Sequence, residues 1–386
     1  MKKYKIPAGT SDYLPGECYI KNLTEDRILS VFKSNGYERI ETPSIEYDNV
    51  FSGVDDFMLD EAFKMTDTDG SLIILRPDMT MPLARIAATK NLGEPPLKLC
   101  YLGNSFTLLS DGYRCREFTQ AGLELIGEGS YLADAEVIAV AIDALRAAGL
   151  DDFLIEVGNV GFFRGLIEEC GLDEKSRDEL IKNVDRKNNF AIYETLKKAG
   201  TPQRLVDTVS QLPTLFGDDA FDRAKKLIGN KKSLGALDEL QNAVGLLERL
   251  GYGRYISVDL GLLKSPAFYT GTIFKGISRH FGAPILSGGR YDKLFPSADG
   301  SATPATGFAV GIKNLVTALS ASGKTQKKPT CDCVLGAAGG DAEKAFLLKR
   351  ELIAKGYTVS YVFIESETEL RKYAERVGAK KAVFVR

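Results

Sequence analysis

Two short stretches decide the fold: Phe268-Tyr-Thr-Gly-Thr-Ile-Phe274 and, thirteen residues on, Ser287-Gly-Gly-Arg-Tyr-Asp292. Each mixes β-formers with glycine, and each carries a tyrosine beside small residues. That composition suits neighbouring strands whose backbones come close to a ligand. Working outward, Leu75-Arg-Pro-Asp-Met-Thr80 and Arg114-Cys-Arg-Glu-Phe-Thr-Gln-Ala-Gly-Leu-Glu124 supply acidic and amide groups: Asp78, Thr80, Gln120 and Glu124. Carboxylates in a partly buried cleft are receptors for a cation such as an ammonium or an imidazolium.

Strand texture surrounds these segments. Tyr37 to Pro43 alternates apolar and charged residues, Ser71 to Leu75 follows the turn Thr68-Asp-Gly70, and Leu97 to Leu102 and Phe118 to Ile126 are further strands. Tyr269 to Phe274, Pro284 to Leu286 and Gly307 to Ile312 read the same way. Ile20 to Phe32 has helical spacing and stops at Asn35-Gly36. Strands joined by hairpins predict an antiparallel sheet with helices on one side. Between about residues 161 and 251 the period changes: Leu180, Val184, Leu196, Val206, Val209, Leu237, Leu240, Val244 and Leu247 recur three or four apart, predicting a helical insertion into the sheet domain. A polar linker at 320–329 then separates a core of residues 1–319 from a β-α-β-α-β segment, 330–386, that predicts a small parallel sheet. The fold class is therefore α+β.

Composition removes several functions. The chain has 386 residues, 44% hydrophobic and 26% charged, and no apolar run long enough for a membrane span. With no secretory leader, a cytoplasmic location is expected. The single histidine, His280, rules out His-rich metal sites and most histidine acid–base chemistry. Of six cysteines only Cys331 and Cys333 are close, too tight for a zinc knuckle, so no metal and no cofactor is expected. The net charge of −2 argues against general nucleic-acid affinity, although residues 326–386 carry an excess of four positive charges.

Together with Gly9-Thr-Ser-Asp-Tyr-Leu-Pro15 and Tyr37-Glu-Arg-Ile-Glu-Thr-Pro43, these motifs resemble, in order and spacing, the catalytic domain of class II histidyl-tRNA synthetases over roughly Lys5 to Leu319. The resemblance implies a class II synthetase-like sheet, with the C-terminal segment similar to a shortened anticodon-binding domain. It implies a histidine site as well: Asp78 (where the family usually has Glu), Thr80 and Gln120 on the α-ammonium, Glu124 and Tyr269 around the imidazole, and Tyr291 on the floor. Arg114, Arg116 and Lys264 would be the contacts left for an anion or carboxylate.

The departures from the family point away from catalysis. Its motif 2 reads Phe-Arg-x-Glu, whereas Phe106 here is followed by Thr107-Leu-Leu109. Its motif 3 reads Gly-Leu-Glu-Arg, whereas Gly311-Ile-Lys-Asn314 ends in asparagine. A third family arginine becomes Lys264, which lacks the bidentate fork. Amino-acid activation needs cations on the ATP phosphates, and loss of one such group costs on the order of a hundredfold in rate. Histidine recognition kept and activation lost resembles the synthetase paralogues that serve as regulatory subunits of ATP phosphoribosyltransferase. That resemblance implies no catalytic residue of its own, L-histidine as ligand, and a short-form catalytic ATP phosphoribosyltransferase as partner. It also implies a homodimer within a larger hetero-oligomer, and no tRNA binding. The alternative is a divergent histidyl-tRNA synthetase. The loop Leu108 to Tyr113, rich in Ser, Asp and Gly, is expected to move on binding.

Overall fold

The computed structural model describes residues 5–51, 59–108, 115–263, 268–296, 302–326 and 328–386. The chain divides into two compact units, Met1–Thr325 and Gln326–Arg386.

The first unit is organised by an eight-stranded sheet. Its strands in chain order are β1 (Glu38–Arg39), β5 (Leu97–Phe106), β6 (Glu117–Ile126), β7 (Leu154–Asn159), β8 (Ile256–Val258), β9 (Thr272–Ser278), β10 (Phe281–Arg290) and β13 (Ala305–Gly311). A small sheet of β2 (Ile45–Tyr47), β3 (Lys64–Thr66) and β4 (Leu72–Leu75) and a hairpin of β11 (Phe295–Pro296) and β12 (Ala302–Thr303) stand beside it. Across the main sheet the order is β1-β5-β6-β13-β10-β9-β7-β8, antiparallel except for the outermost pair at each edge.

The two faces of this sheet differ. On one, Leu123, Phe308 and Phe274 point into a core covered by helices Pro15–Ser34 and Tyr131–Ala148, where Phe32 meets Phe308 edge-on at 5.7 Å. Helix Pro15–Ser34 starts at a proline, which needs no N–H there, and ends before Gly36, whose φ of +81° reverses the chain. Helix Tyr131–Ala148 buries eleven residues. It is apolar on most of its circumference, so it shows no stripe for periodicity to find.

The predicted insertion is a set of helices from Val160–Cys170 to Lys231–Arg249, packed around Leu180, Val184, Leu196, Val206, Val209, Leu237 and Leu240. Helix Ile312–Ala321 carries regular structure into the stretch read as linker. The second unit is a parallel sheet ordered β15-β14-β16 (Val359–Tyr361, Cys333–Ala337, Lys381–Val385) with helices Ala342–Ala354 and Glu367–Val377.

Several strands differ from expectation in extent. The half-buried strand expected over Tyr37 to Pro43 pairs only at Glu38–Arg39. Pro43 cannot donate to a ladder, and Arg76 captures the carbonyls of Thr42 and Pro43 instead, at 2.6 and 3.0 Å. Tyr269 lies just outside its strand, since β9 begins at Thr272.

Candidate functional site

The other face of the main sheet is hollow because its side chains are small. Strand alternation puts Gly103 of β5, Gly122 of β6, Gly307 and Ala309 of β13, and Ser287 and Gly289 of β10 on this face, in neighbouring registers. Above them lies a cleft of about 710 Å³. Two of the glycines are required by close approach. A Cβ on Gly307 would stand 1.8 Å from Oε2 of Glu124 and 2.6 Å from the Tyr291 hydroxyl. One on Gly122 would stand 2.3 Å from the Tyr101 hydroxyl.

Gln120 and Glu124 share this face, two positions to either side of Gly122 on β6. Glu124 is 1% exposed; its Oε1 accepts a hydrogen bond from Thr80 Oγ1 at 3.0 Å, while Oε2 has no partner. Burial pushes its carboxyl well above the ordinary range; the Thr80 bond opposes the shift and nearby Asp78 adds to it. Asp78 and Thr80 stand at the start of helix Thr80–Thr89, where Asp78 Oδ1 accepts the Met81 N–H at 3.2 Å. Asp78 rises to about 6, again by burial, offset by the Met81 and Thr80 amides and by Arg76. Gln120 takes the Ser105 hydroxyl at 2.7 Å.

The aromatic wall comes from the two deciding stretches. Thr270 N donates to the Arg290 carbonyl at 2.7 Å, and Thr270 Oγ1 lies 3.1 Å from Asp292 Oδ2. Those bonds hold Tyr269 and Tyr291 with ring centres 6.3 Å apart, and Phe268 packs against both, at 4.9 and 6.0 Å. The Tyr291 hydroxyl is buried without a partner, like Glu124 Oε2. Tyr269 and Tyr101 have raised hydroxyl pKa values, through burial first and then the charge of Glu124.

Arg76 and Arg290, conspicuous in the motifs, are structural. Arg290 is buried and binds Asp134 at 2.9 Å and the carbonyls of Glu128 and Ser130. Asp78, Thr80, Gln120, Glu124, Tyr269 and Tyr291 all line the one cleft. Arg116 does not: its Nε donates to the Leu108 carbonyl at 3.1 Å. Arg114, Lys264 and the loop 109–113 lie outside the described residues. Sequence reasoning passed over Tyr101, Phe268 and Lys313. Tyr101 pairs with Gly122, two residues before Glu124, which hairpin register would have revealed. Lys313 Nζ reaches Ser11 Oγ at 3.1 Å and Cys115 Sγ at 2.8 Å and brings a cation to the cleft beside Asn314. Among the described residues no three potential metal ligands cluster, and no helix is long and apolar enough to cross a membrane.

A carboxylate pair with an unpartnered oxygen, ringed by tyrosines and an amide, is a receptor for a small cationic or N–H-rich molecule. The family model described as histidyl-tRNA synthetase matches residues 9–315. The ATP phosphoribosyltransferase regulatory subunit of Acetivibrio thermocellus is 40% identical over 385 residues, 98% of this chain and 92% of its own. That of Ruminiclostridium cellulolyticum is 38% identical over 393 residues, covering 100% and 94%. Among solved structures, an ATP phosphoribosyltransferase regulatory subunit/histidyl-tRNA synthetase from Bacillus halodurans C superposes with a TM-score of 0.87 at 30% identity, covering 100% of this chain and 99% of that one. Histidyl-tRNA synthetase from a Nostoc species has the same fold, with a TM-score of 0.82 at 21% identity over 100% and 92% of the two chains. The chain belongs to the family of ATP phosphoribosyltransferase regulatory subunits, built on the histidyl-tRNA synthetase fold.

Proposed function

We propose that this chain binds L-histidine in the cleft and, without catalysis of its own, confers feedback control on a short-form catalytic ATP phosphoribosyltransferase, as a homodimer within a larger hetero-oligomer. The observation that carries the ligand is the orphaned Oε2 of Glu124, which approaches the same point beside Gly307 as the equally unpartnered hydroxyl of Tyr291. Two buried polar atoms left without partners are costly unless a ligand supplies the missing donors. An imidazole N–H meets that need, while an α-ammonium near Asp78, Thr80 and Gln120 relieves the repulsion between the two carboxyls. Support for a non-catalytic role comes from the motif positions, where Thr107 and Asn314 stand in place of arginines.

Calorimetry with L-histidine tests the ligand, with one site per chain expected. Histidine-dependent ATP–pyrophosphate exchange must stay at background; exchange above it would establish the alternative, a divergent synthetase. Assembly with the catalytic subunit of the same organism, assayed with and without histidine, tests the regulatory role.

A further inference from the structure

Tyr291 and Tyr101 are both buried at the cleft, yet their hydroxyls have different surroundings. That of Tyr291 has no partner, whereas that of Tyr101 hydrogen-bonds to the Thr80 side chain. Tyr101 is 1% exposed, and its ring packs with Met79, Leu83 and Leu99. It reaches Thr80 by lying across β6. Tyr101 stands directly opposite Gly122, where an added Cβ would meet its hydroxyl at 2.3 Å and Cζ at 2.4 Å. Any side chain at position 122 would displace the ring from Thr80.

One hydrogen per hydroxyl fixes the direction of the bonds. Thr80 Oγ1 gives its hydrogen to Glu124 Oε1 at 3.0 Å, so it can only accept from Tyr101. The phenol has a proton to give, because burial first, then the charges of Glu124 and Asp78, hold its pKa well above the ordinary 10. A chain results, from the Tyr101 hydroxyl to Thr80 Oγ1 to Glu124 Oε1, and each bond polarises the next. Without the first donor, the Thr80 hydroxyl is free to turn its hydrogen elsewhere. Oε1 then loses its fixed donor, and Glu124 can take up a proton that binds back to Thr80.

We propose that Tyr101 is a positioning residue for the ligand, acting through Thr80 to hold Glu124 as a hydrogen-bond acceptor whose free Oε2 faces the ligand's N–H. Resting on the histidine reading above, this role explains how a carboxyl so deeply buried is kept ready to receive a donor. It also gives Gly122 a function, since only glycine lets the tyrosine cross the strand.

The test is a double-mutant cycle on L-histidine affinity, measured by calorimetry on the full chain. Tyr101→Phe keeps the packed ring and removes only the first donor. Wild-type chain that does not bind histidine sinks the proposed function itself, and this inference with it. Given wild-type binding, Tyr101→Phe is expected to weaken it about tenfold and Thr80→Val about thirtyfold. The double variant should lose about thirtyfold, not the roughly three-hundredfold of independent effects, because Tyr101 acts only through the Thr80 hydroxyl. In a Thr80→Ser background, which keeps that hydroxyl, Tyr101→Phe should again cost about tenfold. Tyr101→Phe that binds histidine as wild type does overturns the assignment. So do losses that multiply in the Thr80→Val background, which would make Tyr101 a direct contact or a packing residue.

Discussion

Asp78→Asn separates the cost of the cleft to the fold from its value to the ligand. The folded protein raises the Asp78 carboxyl from its ordinary 3.8 to about 6, mainly by burial, with Glu124 the other acid nearby. At about 1.4 kcal/mol per unit, keeping Asp78 ionised in the ligand-free fold costs about 2–3 kcal/mol. The sign follows from the direction of the shift. An acid whose folded pKa is raised contributes its stability below the unfolded pKa, near 4, and loses it as pH rises through about 6. Asparagine keeps the oxygen that accepts the Met81 N–H and removes the charge. The ligand-free variant should therefore match wild type near pH 4 and gain up to about 2–3 kcal/mol of stability at pH 8. Histidine binding at pH 8 should move the other way, losing a charge-assisted contact of about 1.5–3 kcal/mol, or roughly tenfold to a hundredfold in affinity. Thermal denaturation at both pH values, with and without histidine, measures both effects. A variant that is destabilised at pH 8, or that binds histidine as tightly as wild type, refutes the placement of Asp78 against the ligand's cation.

Gly307→Ala should abolish measurable histidine binding and cost about 1–3 kcal/mol of stability, since the new Cβ would stand 1.8 Å from Glu124 Oε2 and 2.3 Å from the Leu123 carbonyl; calorimetry and thermal melts read the two effects. Thr80→Val removes the one hydrogen bond to Glu124 Oε1 among the described residues and should cost about 1–3 kcal/mol, read as a fall in the thermal midpoint. Arg290→Met leaves Asp134 buried without its ion pair and should lower stability by about 3–5 kcal/mol, with a matching fall in the thermal midpoint. Should Arg290→Met lower histidine affinity without changing stability, Arg290 belongs to the site and not to its frame.

Much of the candidate site was legible because its chemistry is carried by residue types. Asp78, Thr80, Gln120, Glu124, Tyr269 and Tyr291 stand in short motifs, and all six line the cleft. Tyr101 and Lys313 were not legible in the same way. A tyrosine in a strand and a lysine at the start of a helix have ordinary structural explanations until cross-strand register puts one over Gly122 and tertiary packing brings the other to Cys115. Arg290 shows the converse: its motif reads as part of a pocket, yet the guanidinium turns to Asp134 and to carbonyls of the loop before helix Tyr131–Ala148. Charge in a motif does not say which way the side chain points.

The sequence by itself determined the α+β class, the helical insertion, the separate β-α-β-α-β segment and the kind of groups available to a ligand. Those properties follow from periodicity and residue chemistry, which are local. Only the tertiary structure decided that helix Tyr131–Ala148 closes the core, since an all-round apolar helix has no face until neighbours surround it. It also decided where the main sheet ends. The short outer strands β1 and β8 join in parallel, a pairing that links residues distant in the chain and leaves no hairpin turn in the sequence. The hollow of the cleft arises in the same way: Gly103, Gly122, Gly289 and Gly307 come from four strands, and only lateral pairing gathers them beneath one carboxylate pair.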